Sequence, residues 1–471
     1  MLFMDNVIKQ KQNKGPRTTR NMTSGNIYKH MLSFALPILL SQVFQQLYNT
    51  ADAFIVGRLL GTSSLAAVSS SGPLIHLMIS FLIGMGMATS AVIGRYFGAN
   101  EPENVSKAIH TNIAFGLLSG AVLTVFGIIF TPTLLRWINT DPQVMKEATA
   151  YFRTYFAGII TIVLYNSCKG IMNALGDSRR PLYYLIYSSL LNIVLDLLFI
   201  GVFHWGVWSA AFATVISQAS AFVFCLVHLL KKGHIYSVYP RRIRFHKGIF
   251  GEIVRIGLPA GVQNSVIGLA NVVVQSQINS FGMLAMAAYG VHSKIEGFAF
   301  LPIMSFNMAI STFISQNLGA KEYDRAKKGA RFGILLAVLL AQCIGVAVFL
   351  FAPELVAVFD SNPGVVELGA LQARTLAAFY FLLSFSHSIA AVCRGAGKTF
   401  VPMMVMIVVW CGIRLVYIFC IMHFVGEIRF VYWAYPFTWV ISSVIYLFYY
   451  LFSDWVHGFE KPRKPLFRKA A

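Results

Sequence analysis

FGILLAVLLAQCIGVAVFLF, residues Phe332–Phe351, is a run of twenty residues that contains no charged side chain. As an α-helix it would extend about 30 Å, which matches the hydrocarbon thickness of a lipid bilayer. Similar apolar runs occur at Ile113–Phe130 and Leu182–Val202. Their residues do not alternate between apolar and polar, as the strands of a membrane β-barrel require. The pattern therefore predicts an all-α polytopic membrane protein.

The composition extends this prediction to the whole chain. Of the 471 residues, 57% are hydrophobic and 12% are charged, whereas an average soluble protein has about 25% charged residues. We expect twelve transmembrane helices. The predicted spans are residues 31–56, 67–94, 108–131, 149–172, 182–203, 207–230, 253–278, 286–315, 330–351, 370–393, 401–423 and 431–453.

The placement of the basic residues predicts the topology. The net charge is +20, and 30 of the 38 Lys and Arg residues fall at segments that are cytoplasmic if the N-terminus is inside. The positive-inside rule then predicts that both termini are cytoplasmic, with the basic segments in contact with anionic lipids. Because this explains the charge, we expect no nucleic-acid partner. The first thirty residues are polar and basic, which argues against a cleaved signal peptide.

The chain lacks the patterns of a metal site, a disulfide framework or an active site. All six cysteines lie in predicted spans without a CxxC pair, so they are read as small buried apolar residues. No HExxH sequence, paired His ligands, nucleophile elbow or phosphate-binding loop occurs. We therefore expect a protein that is not an enzyme, with no catalytic residue, no bound metal and no organic cofactor. The cysteines are Cys168, Cys225, Cys343, Cys393, Cys411 and Cys420.

An internal duplication organises the chain. The second half aligns with the first at one offset of 221 residues over about 120 positions, which chance matching of Gly and Pro would not produce. Each half has six spans, so the halves enter the membrane in the same direction and are related by an axis along the membrane normal. The matched pairs include Gly61 with Gly282, Gly98 with Gly319, Pro132 with Pro353, Arg153 with Arg374, Gly176 with Gly397, and Pro181 with Pro402.

The duplication and the charge pattern divide the chain into five predicted parts. These are a cytoplasmic tail (1–30), a first six-helix lobe (31–230), a basic cytoplasmic linker (231–252), a second six-helix lobe (253–453) and a basic cytoplasmic tail (454–471). A cleft between two such lobes is the natural place for a substrate, and rocking of the lobes would give alternating access.

Several stretches resemble the MATE (multidrug and toxic compound extrusion) family. The resemblance covers residues 26–453 and is carried by PILLSQVFQ at Pro37–Gln45, DAFIVGRL at Asp52–Leu59, GRYFGA at Gly94–Ala99 and QNLGAK at Gln316–Lys321. It implies a multi-pass transporter of the cell inner (plasma) membrane, which we expect to be a monomer. It further implies export of bulky, often cationic organic compounds by antiport with H⁺ or Na⁺.

Two carboxylates lie within predicted spans of the first lobe, Asp52 in the first and Asp196 in the fifth. An ionisable residue is costly in a membrane span, so it suggests function by default. Asn192 precedes Asp196 by one turn and should face the same way. The MATE resemblance implies that Asp52, Asn192, Asp196 and Thr214 form a cation or proton site. The alternative is that the acids make only structural hydrogen bonds.

The second lobe does not repeat these acids. Val274 and Tyr417 stand at the positions equivalent to Asp52 and Asp196. Within its spans this lobe carries instead Glu296 and Arg414, for which we expect either a role in coupling or a structural pair between helices.

Polar and Met side chains on the first, second, seventh and eighth spans are candidates to line the substrate cavity. Such a lining tolerates varied shapes, although interhelical hydrogen bonding is the simpler explanation for any one of these residues. The candidates are Gln42, Gln45, Tyr48, Asn49, Met85, Gln263, Asn264, Gln275 and Asn307.

The nearest alternative function is a flippase for lipid-linked oligosaccharides or lipids, which belongs to the same wider superfamily. The substrates of such a flippase carry an anionic head group, for which cationic residues in the cavity are suited. Acids in the first lobe favour a cationic cargo instead.

Overall fold

The computed structural model of this protein describes residues 21–137, 140–231 and 236–459. Most of the predicted tails, residues 1–20 and 460–471, therefore lie outside the described residues. No strand occurs in the described ranges. The helices are α1 (Ile27–Leu59), α2 (Thr62–Gly98), α3 (Pro102–Trp137), α4 (Met145–Ala157 and Ile159–Ala174), α5 (Arg179–Val202), α6 (Trp208–Leu229), α7 (Lys247–Asn279), α8 (Met283–Gly319), α9 (Tyr323–Leu350), α10 (Pro363–Ala377 and Tyr380–Gly395), α11 (Phe400–Phe424) and α12 (Ile428–Phe452).

The all-α fold with twelve spans is confirmed. In the described chain, ten single helices are long and apolar enough to cross a membrane, and α4 and α10 complete the set when each bent pair counts as one span. Most helices extend a few residues beyond the predicted spans at one or both ends. Outside the hydrocarbon, polar residues can continue a helix because water satisfies their side chains, whereas the apolar pattern marks only the membrane-embedded part.

The duplication is visible in backbone geometry as well as in sequence. The bend in α4 (47°, at Gly158) and the bend in α10 (52°, after Ala377) occur at equivalent positions. Gly61 and Gly282, which precede α2 and α8, have φ angles of 90° and 100°. Such positive angles strongly favour glycine, so the pair conserves the same turn in both lobes.

The two lobes meet mainly through α2, which packs against α7 and α8, and through α1, which packs against α8. The tightest part is where α2 and α8 end, and we call it the closed end. There Gly98 lies against the backbone of Gln316, and Gly319 lies against the backbone of Arg95. Arg95 and Gln316 are themselves repeat equivalents, so the two contacts are reciprocal. The absence of a Cβ atom at both glycines permits this approach of the two helices.

Two polar links tie further segments to the closed end. The backbone N–H of Met22, which is fully buried, donates to Gln316 Oε1 at 3.0 Å. Arg95 of α2 forms an ion pair of 3.0 Å with Glu252 of α7. The segment before α1 therefore packs onto the same end of the molecule at which the lobes are joined.

We expect Gly84→Ala to weaken the contact between the lobes. A Cβ atom at Gly84 would lie 2.5 Å from the backbone nitrogen of Gly261 and 2.6 Å from the carbonyl oxygen of Ala260. Overpacking of this kind costs about 1–3 kcal/mol. Thermal unfolding and inter-lobe distances between spin labels at the closed end should show a less stable, wider arrangement.

The matched control is Gly86→Ala, which makes the same change on the same helix with no atom within 4 Å of the new Cβ. Both substitutions raise the helix propensity equally, so they differ only in the contact. Identical stability and inter-lobe distances in the two variants would contradict this account of the interface.

Candidate functional site

The two acids of the first lobe are buried in neighbouring helices. Asp52 lies near the end of α1 and is 9% exposed, and Asp196 lies in α5 and is fully buried. The helices α1 and α5 pack closely together, which brings the residues near each other. Directly after Asp196 the α-helix of α5 changes to a π-helical turn, Leu197–Val202. Turns of this kind occur often at functional sites because they displace one side chain from the regular register.

Asn192 and Thr214 complete the cluster that the sequence predicts. Asn192 lies one turn before Asp196 on α5, and its amide donates to Thr214 Oγ1 of α6 at 3.5 Å. Both side chains are buried. The structure therefore brings Asp52, Asn192, Asp196 and Thr214 together from three helices, and we call this set the acid cluster.

Most oxygen atoms of the acid cluster lack a hydrogen-bond donor among the described residues. Among the described residues, Asp52 Oδ1, both carboxyl oxygens of Asp196 and Asn192 Oδ1 are buried and accept no hydrogen bond from the protein. The carboxyl groups of Asp52 and Asp196 lie side by side. Two carboxylates cannot hydrogen-bond each other unless one carries a proton. The geometry therefore suits either a shared proton or a cation bound by oxygen.

Three tyrosines surround the acid cluster, and the sequence analysis missed two of them. Tyr48, which the sequence places in the substrate cavity, is buried near both carboxyl groups and Thr214. Tyr151 of α4 lies near both carboxyl groups, and Tyr155 of the same helix lies next to Tyr48 and Tyr151. Their spacing of four residues on α4 was the available signal, since it places both hydroxyl groups on one helix face.

An apolar layer covers the acid cluster toward the ends of α1 and α5. Its members are the buried residues Ile55, Val56, Ile200, Val207, Ala210 and Ala211. By excluding water this layer strengthens any electrostatic interaction among the acids and a bound cation.

In the second lobe, the expected pair between Glu296 and Arg414 is not formed, since these described residues make no ion pair within 4.0 Å. Arg414 is 1% exposed and donates from Nε and Nη2 to Thr438 Oγ1 at 3.1 and 2.8 Å. Its guanidinium also lies 4.4 Å from the ring centre of Tyr435 and 5.1 Å from that of Trp410. The aromatic faces of Tyr435 and Trp410 and the hydroxyl of Thr438 stabilise the charge of Arg414. Glu296, which is only partly buried on α8, does not pair with it.

The nine cavity candidates occupy different environments. Gln42 of α1 joins the lobes by donating to Ser305 Oγ of α8 at 3.1 Å. Met85, Gln263 and Asn307 are buried, whereas Asn49 and Gln275 are exposed near the opposite ends of α1 and α7 from the closed end. Tyr48 lies beside the acid cluster. The remaining two candidates, Gln45 and Asn264, are half-buried.

A family model described as MatE matches residues 37–198 and again residues 259–420. These two matches cover most of the chain and coincide with the two repeats. The chain belongs to the MatE family. With its fold, this membership makes the protein a polytopic membrane transporter rather than an enzyme.

Named relatives align with most of this chain. A "Probable multidrug resistance protein YoeA" of Bacillus subtilis is 31% identical over 93% of this chain and 96% of the relative. A "FAD transporter" of Shewanella oneidensis is 24% identical over 74% of this chain and 77% of the relative. A solved structure, "Outward-facing conformation of a multidrug resistance MATE family transporter of the MOP superfamily", is 24% identical, with a TM-score of 0.86 over 93% of this chain and 98% of that one. The names of the two sequence relatives differ in cargo, while the solved structure shares the fold of this chain.

We expect Thr438→Val to destabilise the second lobe of this MatE-family protein. The substitution keeps the shape of the side chain but removes the acceptor of two hydrogen bonds from the buried Arg414 guanidinium. A buried charged donor without its acceptor costs at least about 2 kcal/mol. Unfolding measured by thermal or SDS titration should show this loss. Thr438→Ser keeps the hydroxyl and should behave like the wild type, and a comparable loss in both variants would count against the assignment.

Proposed function

We propose that this protein is a secondary active exporter of bulky, often cationic organic compounds, driven by inward movement of H⁺ or Na⁺ through the acid cluster. The observation that supports this most is the set of buried oxygens on Asp52, Asn192 and Asp196 that accept no hydrogen bond among the described residues. Buried polar atoms are nearly always satisfied, so unsatisfied ones that converge on one point suggest a ligand that the protein chain does not supply.

The chemistry of the acid cluster fits a small cation. Two adjacent carboxyl groups in an apolar environment repel each other when both are ionised, and one proton or one Na⁺ relieves that repulsion. Carboxylate, amide and hydroxyl oxygens are the ligands that hard cations prefer. Neither nitrogen nor sulfur belongs to the set, which disfavours transition metals. The choice between H⁺ and Na⁺ stays open to experiment.

The arrangement of the lobes suggests how coupling would work. In the predicted orientation the closed end is cytoplasmic, and the acid cluster lies in the outer half of the first lobe. The ion would then reach Asp52 and Asp196 from outside while the lobes are joined at the cytoplasmic end. Binding of the ion would relieve the repulsion between the two carboxylates and allow the lobes to rock toward the inward-open state. Cargo and ion would then be coupled through the same rearrangement of the lobes.

The charge of the cluster and the cavity candidates favour a cationic cargo. Amide groups such as Gln42, Gln45 and Asn264, together with Asn49 and Gln275 on the exposed faces of α1 and α7, would contact cargo of varied shape. A lipid-linked pyrophosphate would instead meet acids in the first lobe. The acids of the first lobe therefore disfavour the flippase function.

We expect Asp52→Asn to abolish gradient-driven transport. Purified protein in liposomes should move a cationic dye under an imposed H⁺ or Na⁺ gradient, and the gradient that is effective identifies the ion. The substitution keeps shape and polarity but removes one of the two charges that bind the ion. Glu367→Gln, which removes a charge on the exposed face of α10, serves as the control and should transport normally.

Persistent transport in Asp52→Asn would place the coupling elsewhere, and Glu296→Gln would be examined next. If the wild-type protein moves no dye under either gradient, a fluorescent lipid-linked substrate tests the flippase alternative directly. Each result thus selects one function or one site.

Transport of a monovalent cation should depend on the ion gradient and little on membrane voltage. One-for-one exchange of a cation for H⁺ or Na⁺ moves no net charge, so the roughly 2.3 kcal/mol per charge supplied by 100 mV does not contribute. Dye efflux would be measured with a valinomycin-clamped potential at constant ion gradient. A tenfold response of accumulation to voltage alone would reject one-for-one exchange.

A further inference from the structure

A small cavity lies between the lobes, on the side of the closed end that faces the middle of the molecule. It has room of about 20 Å³ for water-sized groups. Met87 and Ser90 of α2 line it from the first lobe, and Met308 and Ser311 of α8 line it from the second. Since these are two pairs of repeat equivalents, the cavity straddles the pseudo-symmetry axis that relates the lobes.

Two donor groups in the cavity wall, on Arg394 and Asn307, have no acceptor among the described residues. Arg394 of α10 is 8% exposed and lines the cavity. No ion pair or hydrogen bond of its guanidinium occurs within the described part of the chain. Asn307 uses its Oδ1 to accept from Ser388 Oγ at 3.3 Å, and its Nδ2 is buried without a partner. Both residues belong to the second lobe and line the same cavity.

The described residues that line the cavity carry positive charge and no negative charge. Its walls carry the Arg394 guanidinium, two amide protons of Asn307 and the hydroxyls of Ser311 and Thr312, and no carboxylate lines it. A buried charge without a partner is strongly unfavourable, and an arginine cannot escape by losing its proton. An anion in the cavity would satisfy both orphaned donors at once.

The duplicated scaffold does not itself require this arginine. The position equivalent to Arg394 in the first lobe is Asn173, and the position equivalent to Asn307 is Gly86. The cationic half of the cavity therefore arose in one repeat only. Such a departure from symmetry, beside two symmetric pairs of Met and Ser residues, is typical of a binding site rather than of helix packing.

We propose that Arg394 and Asn307 bind one halide-sized monovalent anion, such as chloride, between the two lobes. The size of the cavity favours an ion little larger than water over a carboxylate or phosphate group. Met87 and Ser90 belong to α2 and would move away from α8 when the lobes part. The anion therefore binds the joined arrangement of the lobes and stabilises it. This inference is independent of the coupling ion and of the cargo.

Chloride titration of the purified full chain in nanodiscs tests the proposal. Gluconate replaces chloride at constant ionic strength, and the thermal unfolding midpoint is followed. The wild-type midpoint should rise and saturate with chloride, whereas Arg394→Gln should need at least tenfold more chloride or show no rise. Arg255→Gln, which removes an exposed arginine of α7, should respond like the wild type.

A second variant keeps the test decisive if Arg394→Gln does not fold. Asn307→Asp would place a carboxylate beside Arg394, so it should retain the fold, tolerate the absence of chloride and lose the chloride response. An unchanged response in either variant, or no response in the wild type, overturns the proposal. An equal response to acetate would overturn the halide-sized assignment and indicate a site for a carboxylate instead.

Discussion

The hydrocarbon of the membrane, which offers no hydrogen bonds, is the constraint on which the rest of this structure depends. Every backbone N–H and C=O group in a span must bond within the protein, which leaves the α-helix as the element that the apolar runs can form. The same constraint makes each buried ionisable side chain costly. Asp52, Asp196, Arg394 and Arg414 therefore stand out from their surroundings far more than equivalent residues would in a soluble protein.

The two lobes share their backbone arrangement because of the duplication, and they differ in the charged residues that they bury. The bends of α4 and α10, the turns at Gly61 and Gly282, and the reciprocal glycine contacts of α2 and α8 all obey the repeat. The buried charges do not obey it, since the first lobe carries two acids and the second carries arginines at positions where the first has none. A symmetric pair of lobes can rock about one axis, while asymmetric charges allow each lobe to bind a different partner.

The interface between the lobes combines tight backbone contact with few strong polar links. Glycines let α2 approach α8 at the closed end and α7 further along the helix, and the ion pair of Arg95 with Glu252 lies at the closed end. Contacts of this type are either made or lost as a unit, because close-packed backbones do not deform gradually. Such an interface suits a two-state element whose equilibrium can be biased from a distant site, whether by the acid cluster or by an ion in the inter-lobe cavity.

The sequence by itself determined the membrane class, the twelve spans and the duplication, and its resemblance to the MATE family pointed to the four members of the acid cluster. Hydropathy, a constant repeat offset and the rarity of charges in a span can each be recognised in the sequence, as the run Phe332–Phe351 and the isolated Asp52 show. Tertiary structure alone decided which groups meet across helices. Arg414 bonds Thr438 and not Glu296, Tyr151 lies beside the acid cluster, and Arg394 lines an inter-lobe cavity. These contacts depend on the relative rotation and separation of helices that are far apart in the chain. The packing of whole helix faces determines this geometry, and no local sequence pattern encodes it.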